Sequence, residues 1–172
     1  MPTFEELRAT LKDRRGPLSP IGPADATLSQ TILRADLFAG KSGEMVSNSR
    51  AGLLLLNDDL DAAHNIVQNI PTATGSYWHA IIHRREGDFS NARYWWHQTG
   101  THPVFDEVFD LVLHKVADFS FLDDLRNTHA WDPIAFTNRC QRPASEDEVV
   151  LLEEIQVIEM GTLLQWCASR VK

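Results

Sequence analysis

Apolar residues recur along most of this chain at intervals of three and four, and no segment shows the sustained apolar–polar alternation of a strand. Thr3 followed by Glu6 forms a capping box, and Phe4, Leu7 and Leu11 then predict a first helix running to about Lys12. Prolines at 17, 20 and 23 deny the next stretch helical hydrogen bonds and make it an extended arm. A second helix is expected over 28–39, stopped by Gly40, and a third over 44–57. Shorter helices with tight breaks follow: Leu60 to Ile70 before Pro71, Ser76 to Glu86 before Gly87, Phe89 to Thr99 before Gly100, and Pro103 to about Phe119. Asp132 before Pro133 sets an N-cap with proline at the first helical position. Ser145 and Glu148 form a second capping box, opening a long closing helix with Val149, Leu152, Ile155, Ile158, Leu163 and Val171 at helical spacing. The pattern predicts an all-α fold in one domain, 1–172, with 1–27 a helix plus arm and 28–172 the helical core.

The middle of the chain repeats itself. Ala51, Asp59, Leu60, Ala63 and Val67 recur 29 residues later as Ala80, Asp88, Phe89, Ala92 and Trp96. A small residue on one helix, a short turn and an alanine on the next allow close approach, so each unit reads as a helical hairpin. The layout resembles tetratricopeptide-like pairs, at a period shorter than their usual ~34 residues. A bundle of helical hairpins, weakly TPR-like in the middle, is the expected architecture.

Composition narrows the function classes. The chain has 172 residues, enough for a real core, and a net charge of −8, which disfavours binding along a nucleic-acid backbone. Cys140 and Cys167 lie outside any paired spacing, so neither a disulfide framework nor a cysteine zinc site is expected. The N-terminus lacks the apolar stretch of a signal peptide and no apolar run is long enough to span a bilayer, so a cytoplasmic protein without membrane contact is expected.

Residues 79–103 concentrate the candidate chemistry. On a helix, His79 and His83 lie one turn apart and Glu86 falls on the same stripe. Two neutral imidazoles and a carboxylate could hold a divalent metal, although Ala80 stands where a zinc protease has its glutamate. The spacing admits such a metal without favouring it, and the cofactor stays open. Arg85 projects among Tyr77, Trp78, Ile81 and Ile82, so it needs either an acidic partner within the protein or a small anionic ligand. Arg84, nearer the polar edge, is expected in solvent. On the following helix Trp96 reads as core and Trp95 as core or pocket wall, while Asp88 caps the helix. His102, held extended by Pro103, could turn towards the histidine helix and offer a third imidazole. His64, His114 and His129 lack spaced partners and are expected to be structural or at the surface.

The stretch "WHAIIHRREGDFSNARYWWHQTGTHPVF" resembles a signature of uncharacterised bacterial and fungal proteins, His-x-x-x-His-Arg-x-Glu-x-Asp-x-x-Asn-Ala-x-Tyr-Trp followed by His-Pro. It is carried here by His79, His83, Arg84, Glu86, Asp88, Asn91, Ala92, Tyr94, Trp95, His102 and Pro103. "WDPIAF" and "LLQWCAS" extend the likeness from about residue 50 to the end. It implies a site and no particular activity. Joined to the spacing, it makes His79, His83 and Glu86 the catalytic or metal-holding candidates, and Arg85, Asn91, Tyr94, Trp95 and His102 the ligand-binding ones. The competing expectation is a helical scaffold or interaction module in which these residues only brace the hairpin, while the acidic last helix either closes the bundle or contributes to a homodimer.

Overall fold

The computed structural model describes residues 1–116 and 129–172, and among the described residues it contains nine helices and no strand. They are α1 (Phe4–Leu11), α2 (Ala26–Arg34), α3 (Glu44–Leu56), α4 (Leu60–Val67), α5 (Ala73–Arg85), α6 (Phe89–Thr99), α7 (Val104–Lys115), α8 (Pro133–Gln141) and α9 (Glu146–Ala168). The expected all-α class is therefore observed. The expected end of α7 near Phe119 lies outside the described residues. No described helix is long and apolar enough to cross a membrane.

Side-chain caps set most helix starts. Thr3 and Glu6 form the reciprocal box, with the Thr3 N–H donating to Glu6 Oε2 at 2.8 Å. The Asp132 carboxylate accepts from the Ile134 and Ala135 N–H groups, each at 2.9 Å, with Pro133 supplying a first turn that needs no donor. Ser145 accepts from the Glu148 N–H at 3.2 Å, but only half of the expected box forms. The Glu148 carboxylate turns instead to Arg139 and to the Ala144 N–H.

α2 ends five residues before the expected Ala39. From α3, Arg50 donates to the carbonyls of Ile32, Leu33 and Ala35, satisfying acceptors that the helix end leaves open. The Leu37 carbonyl accepts from the Phe4 N–H at 3.1 Å, and Asp36 accepts from the Gly40 N–H at 2.8 Å. These contacts outside the helix replace the turn that periodicity alone would add.

One buried apolar cluster draws residues from all nine helices, from Phe4 and Leu7 to Leu163 and Cys167. The hairpins α3–α4 and α5–α6 are its frame: α5 packs most extensively on α6, and α9 lies along α3. Gly52 permits the closest approach. A Cβ there would stand 2.8 Å from the Trp78 ring and 2.9 Å from Leu164, so α3, α5 and α9 meet through a residue without a side chain. Every residue of α5 except Ala73 is buried. This helix has no wet face, so even its polar side chains must find partners inside the protein.

Candidate metal centre

The last turn of α5 sends successive side chains in three directions. Arg84 faces α9, where its guanidinium meets the fully buried Glu159 at 2.5 Å and lies 4.6 Å over the Phe136 ring of α8. Burial, the largest single influence, works against the charge, but Glu159, with Cys140 and Tyr77 adding to it, leaves the Arg84 guanidinium above its ordinary pKa. The expected solvent exposure of Arg84 is thus corrected: it is 2% exposed. Arg85 faces α3 and the proline arm. It bonds to Asp58, to the Leu55 carbonyl at 2.6 Å and to the Pro17 carbonyl at 3.2 Å. With no exposed surface, Arg85 faces no space an anionic ligand could enter, and an acidic partner within the protein occupies it instead.

His83 and Glu86 turn the third way, towards α4, and meet His64. The Nε2 atoms of His64 and His79 are 2.7 Å apart, and one ring nitrogen from each of His64, His79 and His83 falls within a group spanning 4.8 Å. The His79 and His83 rings stack at 5.0 Å with 10° between planes, while His64 stands edge-on to both. Glu86 lies behind this triangle. Its Oε2 is 2.9 Å from His83 Nδ1, a close charge contact without hydrogen-bond alignment, and its Oε1 is 3.5 Å from His64 Nδ1. The expectation that Glu86 shares a ligand set with His79 and His83 gives way to a carboxylate beside the Nδ1 atoms of His64 and His83, outside the three-nitrogen group.

Neutral imidazole dominates at His79 and His83. Burial, then the neighbouring His64 and His83, push His79 down to about 4, and burial lowers His83 against the opposing pull of Glu86. A neutral ring keeps a lone pair for a metal or a hydrogen bond. His64 and Glu86 are the open side, with about a third of each side chain exposed. Beside Glu86, a groove of about 240 Å³ runs between the arm at Pro20–Pro23 and the acidic turn at Asp58–Asp61.

The structure separates the other candidates. Trp95 joins the cluster, its ring stacked on His79 at 3.9 Å with 15° between planes. Tyr94 stands edge-on to Trp95 at 5.4 Å and is 54% exposed. Asn91 belongs to the helix cap, donating to Asp88 at 2.7 Å in solvent. His102 is elsewhere: it is buried, 3.2 Å from Thr74 Oγ1, accepts from the Val104 N–H at Nδ1, and lies against Tyr77 and Trp166. The third imidazole is His64, expected to be peripheral. The signal for it was the hairpin pairing. When two hairpins stack, the second helix of one borders the first helix of the next, so the α4 flank beside Ala63 reaches the α5 histidine stripe.

Three imidazole nitrogens from two helices match the donor set of zinc, copper, iron or nickel sites. Two nitrogens on one tetrahedral zinc, with bonds of about 2.0–2.1 Å, stand roughly 3.3 Å apart. The 2.7 Å contact would have to open by about 0.6 Å to admit an ion, and as it stands it is a hydrogen-bond distance. Compared with family profiles, curated proteins and solved structures, the chain matches none.

Proposed function

We propose that this is a divalent-metal protein in which His64, His79 and His83 supply three nitrogens and leave a coordination position towards solvent. The observation that carries the reading is the convergence of those three ring nitrogens within 4.8 Å. A three-histidine set with an open position suits a centre that binds water or an external molecule, the arrangement of metal-assisted hydrolysis or oxidation. Glu86, beside the Nδ1 atoms of His64 and His83, would supply a counter-charge and, once a bound ion turned those rings into alignment, would accept their N–H groups and fix the tautomer. The α3–α4 and α5–α6 hairpins serve as a TPR-like frame holding the site rigid. We place the protein in the reducing cytoplasm, a reading supported by two free, buried thiols.

The test is elemental analysis of untagged protein prepared without chelator, beside His64→Ala, His79→Ala and His83→Ala, with the exposed His114→Ala as control. Near-stoichiometric transition metal in the wild type and the control, lost in the other three, is the expected result. Wild-type protein that takes up no zinc or copper on titration would refute it. A second reading draws on the 2.7 Å His64–His79 contact, which metal-free imidazoles make unaided. In that case the hairpins are a scaffold, and the three variants lose stability without any change in metal content.

A further inference from the structure

We propose that Trp95 and Tyr94 form an electron outlet from the three-histidine centre to the protein surface, so that the centre works with a redox-active metal and a peroxide oxidant. The inference rests on the metal reading above and goes beyond it by naming the chemistry. Of the five tryptophans, Trp95 alone lies against the imidazole cluster among the described residues. Its ring covers the face of His79 at 3.9 Å, nearly parallel, which gives direct π overlap with a proposed ligand. The next ring outward, Tyr94, follows at 5.4 Å, and more than half of it is in water. Electronic coupling decays steeply with distance, so two contact-distance steps between oxidisable rings move charge far faster than one jump across the same span. Phenol at the outer end can lose its proton directly to solvent.

The other aromatic residues show why the pair stands out. Tyr77, the remaining tyrosine, is fully buried and donates to Glu159. Trp96, adjacent to Trp95, points into the core and donates to Thr137 at 2.8 Å. Packing alone accounts for Trp96. It does not call for an indole on the ligand face of His79 followed by an exposed phenol.

The reaction balances with hydrogen peroxide as the oxidant. Cleaving its O–O bond to two waters takes two electrons and two protons. A reduced metal such as copper(I) gives one electron and becomes copper(II). Trp95 passes the second inward and is refilled by Tyr94, whose phenol proton is released. With that proton and one more from solvent, the products are two waters, copper(II) and a neutral radical on Tyr94.

Copper(I)-loaded protein, its copper measured before reaction, is treated with hydrogen peroxide and a spin trap. Adducts are located by peptide mass spectrometry, and dityrosine fluorescence reports coupling between exposed phenols. The wild type should give adducts at Tyr94 and dityrosine-linked dimers. Tyr94→Phe should lose the dityrosine and shift adducts to Trp95. Trp95→Phe should reduce Tyr94 adducts to the level of copper-free protein. Copper-loaded Trp95→Phe that labels Tyr94 as fully as the wild type would mean that oxidant reaches the phenol through solvent, which overturns the outlet. Copper-loaded wild type without Tyr94 adducts overturns it as well. Absence of bound copper sinks the metal reading and this proposal together, and the initial copper measurement tells the cases apart.

Discussion

Replacing Glu159 by Gln should cost this protein a large share of its stability. The change keeps the shape of the side chain and removes one charge at a fully buried position. In the native protein Glu159 Oε2 meets Arg84 Nη2, and Oε1 accepts from the Tyr77 hydroxyl at 3.3 Å. Among the described residues, Arg84 Nε and Nη1 have no partner, so this ion pair is the main polar compensation for a guanidinium that is 2% exposed. The Phe136 ring at 4.6 Å adds a smaller attraction. Removing one member of a buried pair typically costs about 3–5 kcal/mol, against a total stability of roughly 5–15 kcal/mol for a domain. With a urea m-value of about 2 kcal/mol/M, the midpoint should fall by roughly 1.5–2.5 M. Urea denaturation followed by circular dichroism measures it. The double variant Arg84→Met, Glu159→Met should recover most of the loss, because two apolar side chains leave no stranded charge. A Glu159→Gln protein within about 1 kcal/mol of wild type would refute the reasoning.

Three further outcomes follow from the packing and the site. Gly52→Ala should lower the melting temperature: repacking Trp78 and Leu164 costs about 1–3 kcal/mol, more than the roughly 1 kcal/mol gained in helix propensity, and a raised melting temperature would contradict it. Burial, then the nearby Arg170, push His102 down to about 4 from 6.5, so the unfolded chain binds a proton that the folded one refuses. Its stabilising effect is complete above about pH 6.5 and fades as pH falls towards 4. Denaturation at a series of pH values should show a shallower acid slope in His102→Gln, and an identical slope would exclude this assignment. Glu86→Gln should weaken metal binding about 10- to 100-fold by competitive chelator titration, whereas unchanged affinity would mean that Glu86 does not orient the imidazoles.

The local chemistry of this fold could be read in the sequence more fully than its long-range chemistry. α6 begins at Phe89 and ends at Thr99 as expected, because Asp88 and Gly100 encode both ends within a few residues. α2 ends early because Arg50, sixteen residues beyond Arg34, takes its last carbonyls, and no local pattern contains that contact. Within the site, the His79–His83 stripe was readable from helical spacing. His64 was not, since its meeting with His79 depends on how one hairpin stacks on the next. Arg84 was misplaced for another reason. Assigning faces by angle presumes that a helix has a solvent side, and α5 has none.

The two arginines that end α5 also bear on how the chain is made. Arg84 finds its carboxylate 75 residues downstream, while Arg85 reaches 68 residues upstream to the arm and 27 upstream to Asp58. During synthesis from the N-terminus, Arg85 can be satisfied as soon as α5 appears, but Arg84 must wait for α9. Any folded intermediate lacking α9 would bury a stranded cation, so the nascent chain gains by keeping α5 solvated until α9 has been released. A break in the chain between α8 and α9 should therefore give two fragments that fold only together.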